Sequence, residues 1–160
     1  MNAELEQYLK LAVPSDEHVA LRGKRLSEAA FNTLEEELKL LFPPWLRDMF
    51  LNYPIANLIL RFQSKTGEIN AIQFYDFDEI SDSYFRLSPG NFVAPLGYIA
   101  IADDPRENGN TYFIRLDQGE NPPVYQIAHG PATDPAEILR SKTTLVADSL
   151  STLFENQTTS

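Results

Sequence analysis

Seven carboxylates in two short runs are the side chains with most chemistry to offer. Asp76, Asp78, Glu79 and Asp82 fall within seven positions, with no Lys or Arg among them. Asp103, Asp104 and Glu107 share one loop and are offset only by Arg106. Paired acids hydrolyse glycosidic bonds when a cleft sets their spacing and their surroundings separate their pKa values. Acids in loops also cap helices, shape turns, stay solvated or face a cationic partner. Sequence does not set the spacing, so these readings stay open together.

Other reactive sets are missing. The chain has two histidines, His18 and His129, and no Gly-x-Ser-x-Gly elbow. His129 follows an expected strand and reads as a structural or surface residue. Cysteine is absent, which excludes disulfides and thiolate chemistry. Two distant histidines do not make a zinc site. Residues 76–79, Asp-Phe-Asp-Glu, lack the Gly and closing Glu of a calcium loop. No Gly-rich nucleotide loop occurs. We therefore expect no catalytic set, no cofactor and no metal. The seven acids are the candidate partner-binding residues, with Tyr75, Tyr84, Tyr98 and Tyr112 either interleaved among them or bracing a sheet.

The whole chain is acidic, with a formal net charge of −10 and a pI of about 4.6. Such a surface repels nucleic acid and anionic lipid and speeds encounter with a basic protein. Acidity also serves solubility alone, so the charge counts only where the acids cluster. With 160 residues, 43% of them hydrophobic, the chain suits one domain with a core of its own. The start carries Glu4 and Glu6 and no apolar signal-like run. The longest apolar stretch, residues 92–102, is far shorter than a membrane helix and holds Pro95 and Gly97. The expectation is a soluble cytoplasmic protein.

The elements that must position the acids follow from periodicity. Residues 2–11 read as a helix stopped by Val13-Pro14-Ser15. Ser27 is a candidate N-cap for a second helix with Ala30, Phe31, Leu34, Leu38 and Leu41 on one stripe. Pro43-Pro44 opens a third helix, in which Trp45, as a core anchor, Leu46, Met49 and Phe50 make an apolar face. Residues 58–63 and 69–77 read as strands around the turn Ser64-Lys65-Thr66-Gly67. Residues 78–86 suggest a short helix. Residues 98–102, 111–116 and 124–128 form a three-strand meander, with Asn108-Gly109 in its first turn. Residues 130–142 read as a loop and 145–155 as a closing helix, with Thr144 its candidate cap. The fold class is α+β, with an antiparallel sheet of about five or six strands and helices packed on one face. One domain spans residues 1–156, and residues 157–160 form a frayed tail.

These pieces, in this order, resemble the SUKH superfamily, which includes fungal cell-wall glucan-synthesis regulators and bacterial immunity proteins. The resemblance rests on the segment Leu41-Phe42-Pro43-Pro44-Trp45-Leu46-Arg47-Asp48-Met49-Phe50 and on the strand, acidic turn and Pro122-Pro123-Val124-Tyr125 run of residues 95–125. It also rests on the closing helix around residues 147–154. It extends from about residue 27 to residue 155. Where such proteins often carry Asn-Gly-Gly after the second helix, this chain has Asn52-Tyr53-Pro54. The resemblance implies a protein-binding α+β domain with no catalytic residues to carry over. Its partner would be a basic protein such as a nuclease toxin domain, and neither nucleic acid nor a membrane. The alternatives are a regulatory or scaffold protein, and a carbohydrate-active enzyme using two of the acids. Partner identity and oligomeric state stay open.

Overall fold

The first two helices each begin on a side chain that satisfies a free backbone N–H, and the third opens on proline. The computed structural model describes residues 1–13 and 23–158; His18, Pro14 and Ser15 lie outside them. Helix α1 (Ala3–Ala12) starts at Asn2, whose side chain accepts from the Leu5 N–H at 3.0 Å, and buries Leu5, Leu9 and Ala12. Helix α2 (Glu28–Leu38) starts at Ser27, whose hydroxyl accepts from the Ala30 N–H at 3.1 Å. It buries Phe31, Leu34 and Leu38, then ends at Lys39 in the left-handed conformation. That reversal takes Leu41 off the stripe: it is 83% exposed, and Phe42 turns inward instead. Helix α3 (Pro44–Asn52) buries Trp45, Leu46, Met49 and Phe50. Trp45 is the expected core anchor. Glu35 ties α2 to α3, accepting from the Phe42 N–H at 2.8 Å and pairing with Arg47.

The sheet has seven strands, one or two more than expected: β1 (Ile59–Gln63), β2 (Ile69–Phe74), β3 (Tyr98–Asp103), β4 (Thr111–Arg115), β5 (Val124–Ile127), β6 (Thr143–Ala147) and β7 (Gln157–Thr158). Every pairing is antiparallel, in the order β6-β5-β4-β3-β2-β1-β7. The sheet curls until its distant parts meet. The Lys65 N–H, just past β1, donates to the Val146 carbonyl of β6 at 2.8 Å, and Lys65 Nζ pairs with Asp148 at 2.6 Å. Residues 98–102 of β3 and 111–114 of β4 are all buried, so the middle of the sheet is covered on both faces.

Four further helices follow among the described residues. Helix α4 (Phe77–Phe85) and α5 (Gly90–Val93) pack against β3, followed by the 3₁₀ turn Ala94–Leu96. Helix α6 (Pro135–Ser141) follows β5, and α7 (Leu150–Glu155) packs on α1, β1 and β6.

Four regions differ from the sequence reading. The expected closing helix splits, because residues 143–147 (Thr-Thr-Leu-Val-Ala) are rich in β-branched side chains and pair with β5. Val146 and Leu150 share helical spacing yet lie in different elements. Ser149, rather than Thr144, caps α7, accepting from the Thr152 N–H at 3.1 Å. Within the expected loop of residues 130–142, Pro135 opens α6. The second strand stops at Phe74, since Asp76 turns the chain into α4. At the tail, Gln157 and Thr158 pair with Phe62 and Arg61 rather than fray.

Candidate functional site

The two acidic runs approach each other because α4 starts beside the end of β3. Strand β2 pairs with β3 through Gln73↔Asp103 and Phe74↔Ala102, and Asp76 follows immediately as the N-cap of α4. Asp76 Oδ1 accepts from the Phe77 N–H at 2.6 Å, and Glu79 Oε1 accepts from the Asp76 N–H at 3.1 Å. This capping box fixes where α4 begins and satisfies two donors that the helix leaves open. The acids also complement the positive end of the helix dipole.

A cleft of about 320 Å³ opens between this helix and the β3–β4 turn. Tyr75, Ser83, Leu87, Ser88, Thr111 and His129 contribute to its lining, as do Asp103, Asp104, Glu107 and Gly109. Its electrostatics turn on Asp103. Burial first, then the negative charges of Glu79, Asp104 and Glu107, push the Asp103 carboxyl up to about 6. The adjoining Tyr75 phenol is also pushed up, by burial and then by the charge of Asp103.

Asp104 has the opposite surroundings. Burial works against its charge, but the Arg106 side chain, the Arg106 backbone N–H and Asn108 outweigh it and hold the carboxyl below its ordinary value. Arg106 Nε and Nη2 donate at 2.9 and 2.6 Å, the Arg106 N–H at 2.9 Å and Asn108 Nδ2 at 3.0 Å. The Asp104 side chain has no exposed surface. Both of its oxygens are occupied by donors from its own loop, so it shapes that loop rather than meeting a second molecule. Split carboxyl pKa values are the signature of acid–base pairs, but here one member of the pair is already satisfied.

The seven candidate residues therefore divide. Glu79, Asp103, Asp104 and Glu107 come together electrostatically around the cleft, and Glu79 and Glu107 are exposed. Asp78 is exposed on the first turn of α4. Asp76 pairs with Lys24 at 2.7 Å and Asp82 with Arg86 at 3.3 Å, so each is offset locally. Of the four tyrosines, Tyr75, Tyr98 and Tyr112 are buried. Their main work is bracing the sheet: the Tyr112 hydroxyl donates to the Ala71 carbonyl at 3.1 Å. Only Tyr84 is partly exposed, edge-on to Phe85.

Sequence reasoning missed the polar wall of Ser83, Ser88, Thr111 and His129. Its signal is indirect and lies in close approaches that only glycine allows. A Cβ on Gly90 would fall 2.3 Å from Ser83 Oγ, and one on Gly109 would fall 2.7 Å from His129 Cβ. Gly109 also has a φ of +79°.

Residues 25–156 match the model of the SMI1/KNR4 family (SUKH-1). The chain belongs to this family. No curated protein matches it closely enough to add a named relative. At the family's usual Asn-Gly-Gly position this member carries Asn52-Tyr53-Pro54. There Tyr53 is extended and buried, and Gly23 passes so close to the Pro54 carbonyl that a Cβ would lie 2.2 Å from its oxygen. Among the described residues no helix is long and apolar enough to cross a membrane.

The Asp103 environment carries a pH prediction. A carboxyl raised in the folded state favours folding below its unfolded value, and that contribution is lost as pH rises through about 6. Asp103 thus opposes stability at neutral pH. Asp103→Asn is expected to gain about 1 kcal/mol over the parent at pH 8 relative to pH 4, a figure discounted for partial solvent screening. Urea unfolding at both pH values checks this, together with a carboxyl ¹³C titration of the parent. A ¹³C midpoint at the ordinary value of 3.8 contradicts it.

Proposed function

We propose that this SMI1/KNR4-family protein is a non-enzymatic protein-binding module. Its best reading is a bacterial immunity protein that acts in the cytoplasm and neutralises a nuclease-type toxin through an acidic surface. The observation that carries this is the concentration of uncompensated negative charge at one place. Glu79 and Glu107 act on Asp103 around the cleft, and among the described residues neither Lys nor Arg lines it. Nuclease toxins present basic grooves for phosphate, and an acidic surface can occupy such a groove and raise the encounter rate. The satisfied state of Asp104 weighs against the two-carboxylate enzyme, because it removes one of the two acids.

The test partner is a nuclease-type toxin found by inspecting the genes that neighbour this one. Asp78→Lys with Glu107→Lys replaces two exposed acids that form no cap or ion pair among the described residues, so the melting temperature should fall by only a few degrees, the cost of losing one acid from the first turn of α4. Association is expected to slow about tenfold at low salt, with a flatter salt dependence. Unchanged association kinetics reject the acidic surface. A neighbourhood without a toxin gene, with binding to a host enzyme instead, selects the regulatory branch of the family.

A further inference from the structure

The cleft has an apolar lip that the acidic reading leaves unused. Phe85 is 49% exposed and Leu87 is 54% exposed, and Leu87 also lines the cleft with Asp103 and Glu107. Exposed apolar groups rimmed by charge mark interaction surfaces. Both side chains sit on fixed backbone. Helix α4 ends at Phe85, and the N–H groups of Arg86 and Leu87 both donate to the Asp82 carbonyl, at 2.8 and 3.0 Å. The Leu87 carbonyl accepts from the Asn91 N–H at 3.0 Å, and Phe85 stands edge-on to Tyr84 with 5.0 Å between ring centres. Little order remains to be imposed when a partner lands, which lowers the entropy lost on binding.

Charge says what the partner is. Glu79 acts on Asp103 from α4, and Asp103 and Glu107 line the cleft from the end of β3 and the β3–β4 turn. The nearby cations Arg86 and Arg106 are paired with Asp82 and Asp104. The cleft volume, about 320 Å³, is at the low end of the roughly 300–1,000 Å³ of small-ligand pockets, which suits one long side chain.

We propose that Phe85, Leu87 and the cleft form one composite docking surface for a cationic protein segment. An aliphatic or aromatic side chain of that segment rests on Phe85 and Leu87, and a neighbouring Lys or Arg enters the cleft toward Asp103 and Glu107. This rests on the acidic-surface reading and adds the anchor that determines how long the complex lasts. Rim charges govern mainly the association rate, and desolvated apolar anchors govern mainly dissociation.

The probe is a synthetic amphipathic peptide of leucine and lysine, titrated into the ¹⁵N-labelled full chain at low and moderate salt. Shifts are expected at residues 85–87, Asp103, Glu107 and His129. Phe85→Ser and Leu87→Ser should each weaken binding about fivefold or more while leaving its salt dependence unchanged. Leu11→Ser, an exposed apolar change on α1, should leave the affinity as it was. Salt-sensitive binding that Glu107→Gln weakens but Phe85→Ser and Leu87→Ser do not would overturn the composite surface and leave the acidic reading standing. No binding at about 1 mM peptide also overturns the composite surface. In that case, slowed toxin association by the charge-reversed chain still supports the acidic reading. A dimer of the parent chain that Leu87→Ser abolishes identifies the occupant as a second copy and overturns the cationic segment.

Discussion

Phe154→Ala is expected to lower stability by about 3–5 kcal/mol, the range for removing a fully buried phenylalanine. Phe154 is 2% exposed and stacks on Phe74, with ring centres 5.8 Å apart and planes inclined by 12°. Phe74 is the last residue of β2, so the stack ties α7 to the sheet just before the chain turns into α4. Helix α7 has only six residues, too few to persist in water by itself. It holds because Leu150, Leu153 and Phe154 are buried and Ser149 caps it. The same helix packs on α1 and links β6 to β7. Losing its anchor should therefore loosen both the closure of the curled sheet and the docking of the N-terminal helix. Urea unfolding with an unchanged slope measures the first effect. Faster amide exchange at Leu5 and Leu9 measures the second. A loss below about 1 kcal/mol would mean that neighbouring side chains refill the space, and that α7 does not anchor the sheet.

Local chemistry made most of the fold legible. Ser27 before an apolar stripe, Pro44 at a first turn and the Ser64-Lys65-Thr66-Gly67 turn between apolar runs each specify their elements within a few residues. The failures share a cause. Strand β6 and helix α7 are adjacent, and Val146, Leu150, Leu153 and Phe154 are all buried, so their spacing imitates one helix. Only pairing with β5, remote in sequence, separates them. The pairing of β7 with β1 depends on a partner nearly one hundred positions away.

The candidate site was legible as composition but not as arrangement. Both acidic runs are visible in the chain, whereas their meeting depends on the β2–β3 register that sets Gln73 opposite Asp103. Grouping Asp103 with Asp104 overlooked the donors of the turn, which occupy Asp104 although both residues line the cleft. One carboxylate faces its acidic neighbours in the cleft, and the other is locked away under Arg106. Whether an acid is available to a partner is therefore decided by burial and by loop donors, neither of which a charge count records.

Asp104→Ala is expected to cost about 2–3 kcal/mol at pH 7, the range for losing hydrogen bonds to a charged group. Residues 104–110 fold around this carboxylate. Besides the donors from Arg106 and Asn108, the Asp104 N–H donates to the Asn110 carbonyl at 3.0 Å, and its own carbonyl accepts from the Glu107 N–H at 3.2 Å. Glu107 itself adopts φ of +59°, a left-handed conformation that the surrounding loop must hold in place. Because the folded pKa of Asp104 is lowered, its contribution is present above the unfolded value near 3.9 and lost as pH falls through the folded value. The deficit of Asp104→Ala should thus persist down to about pH 4 and shrink only below it. Arg106→Ala behaves differently. It leaves a carboxylate with no exposed surface and without its guanidinium, so burial dominates and the carboxyl rises above its ordinary value. Protonation then relieves the strain, and this deficit should begin to shrink at a higher pH than that of Asp104→Ala. Urea midpoints at pH 3, 5.5 and 7 separate the two curves. Equal, pH-independent deficits would show that the carboxylate is not what holds the loop. Since the loop carries Glu107 to the cleft, the proposed acidic surface requires that Asp104→Ala also weaken binding of the leucine–lysine peptide.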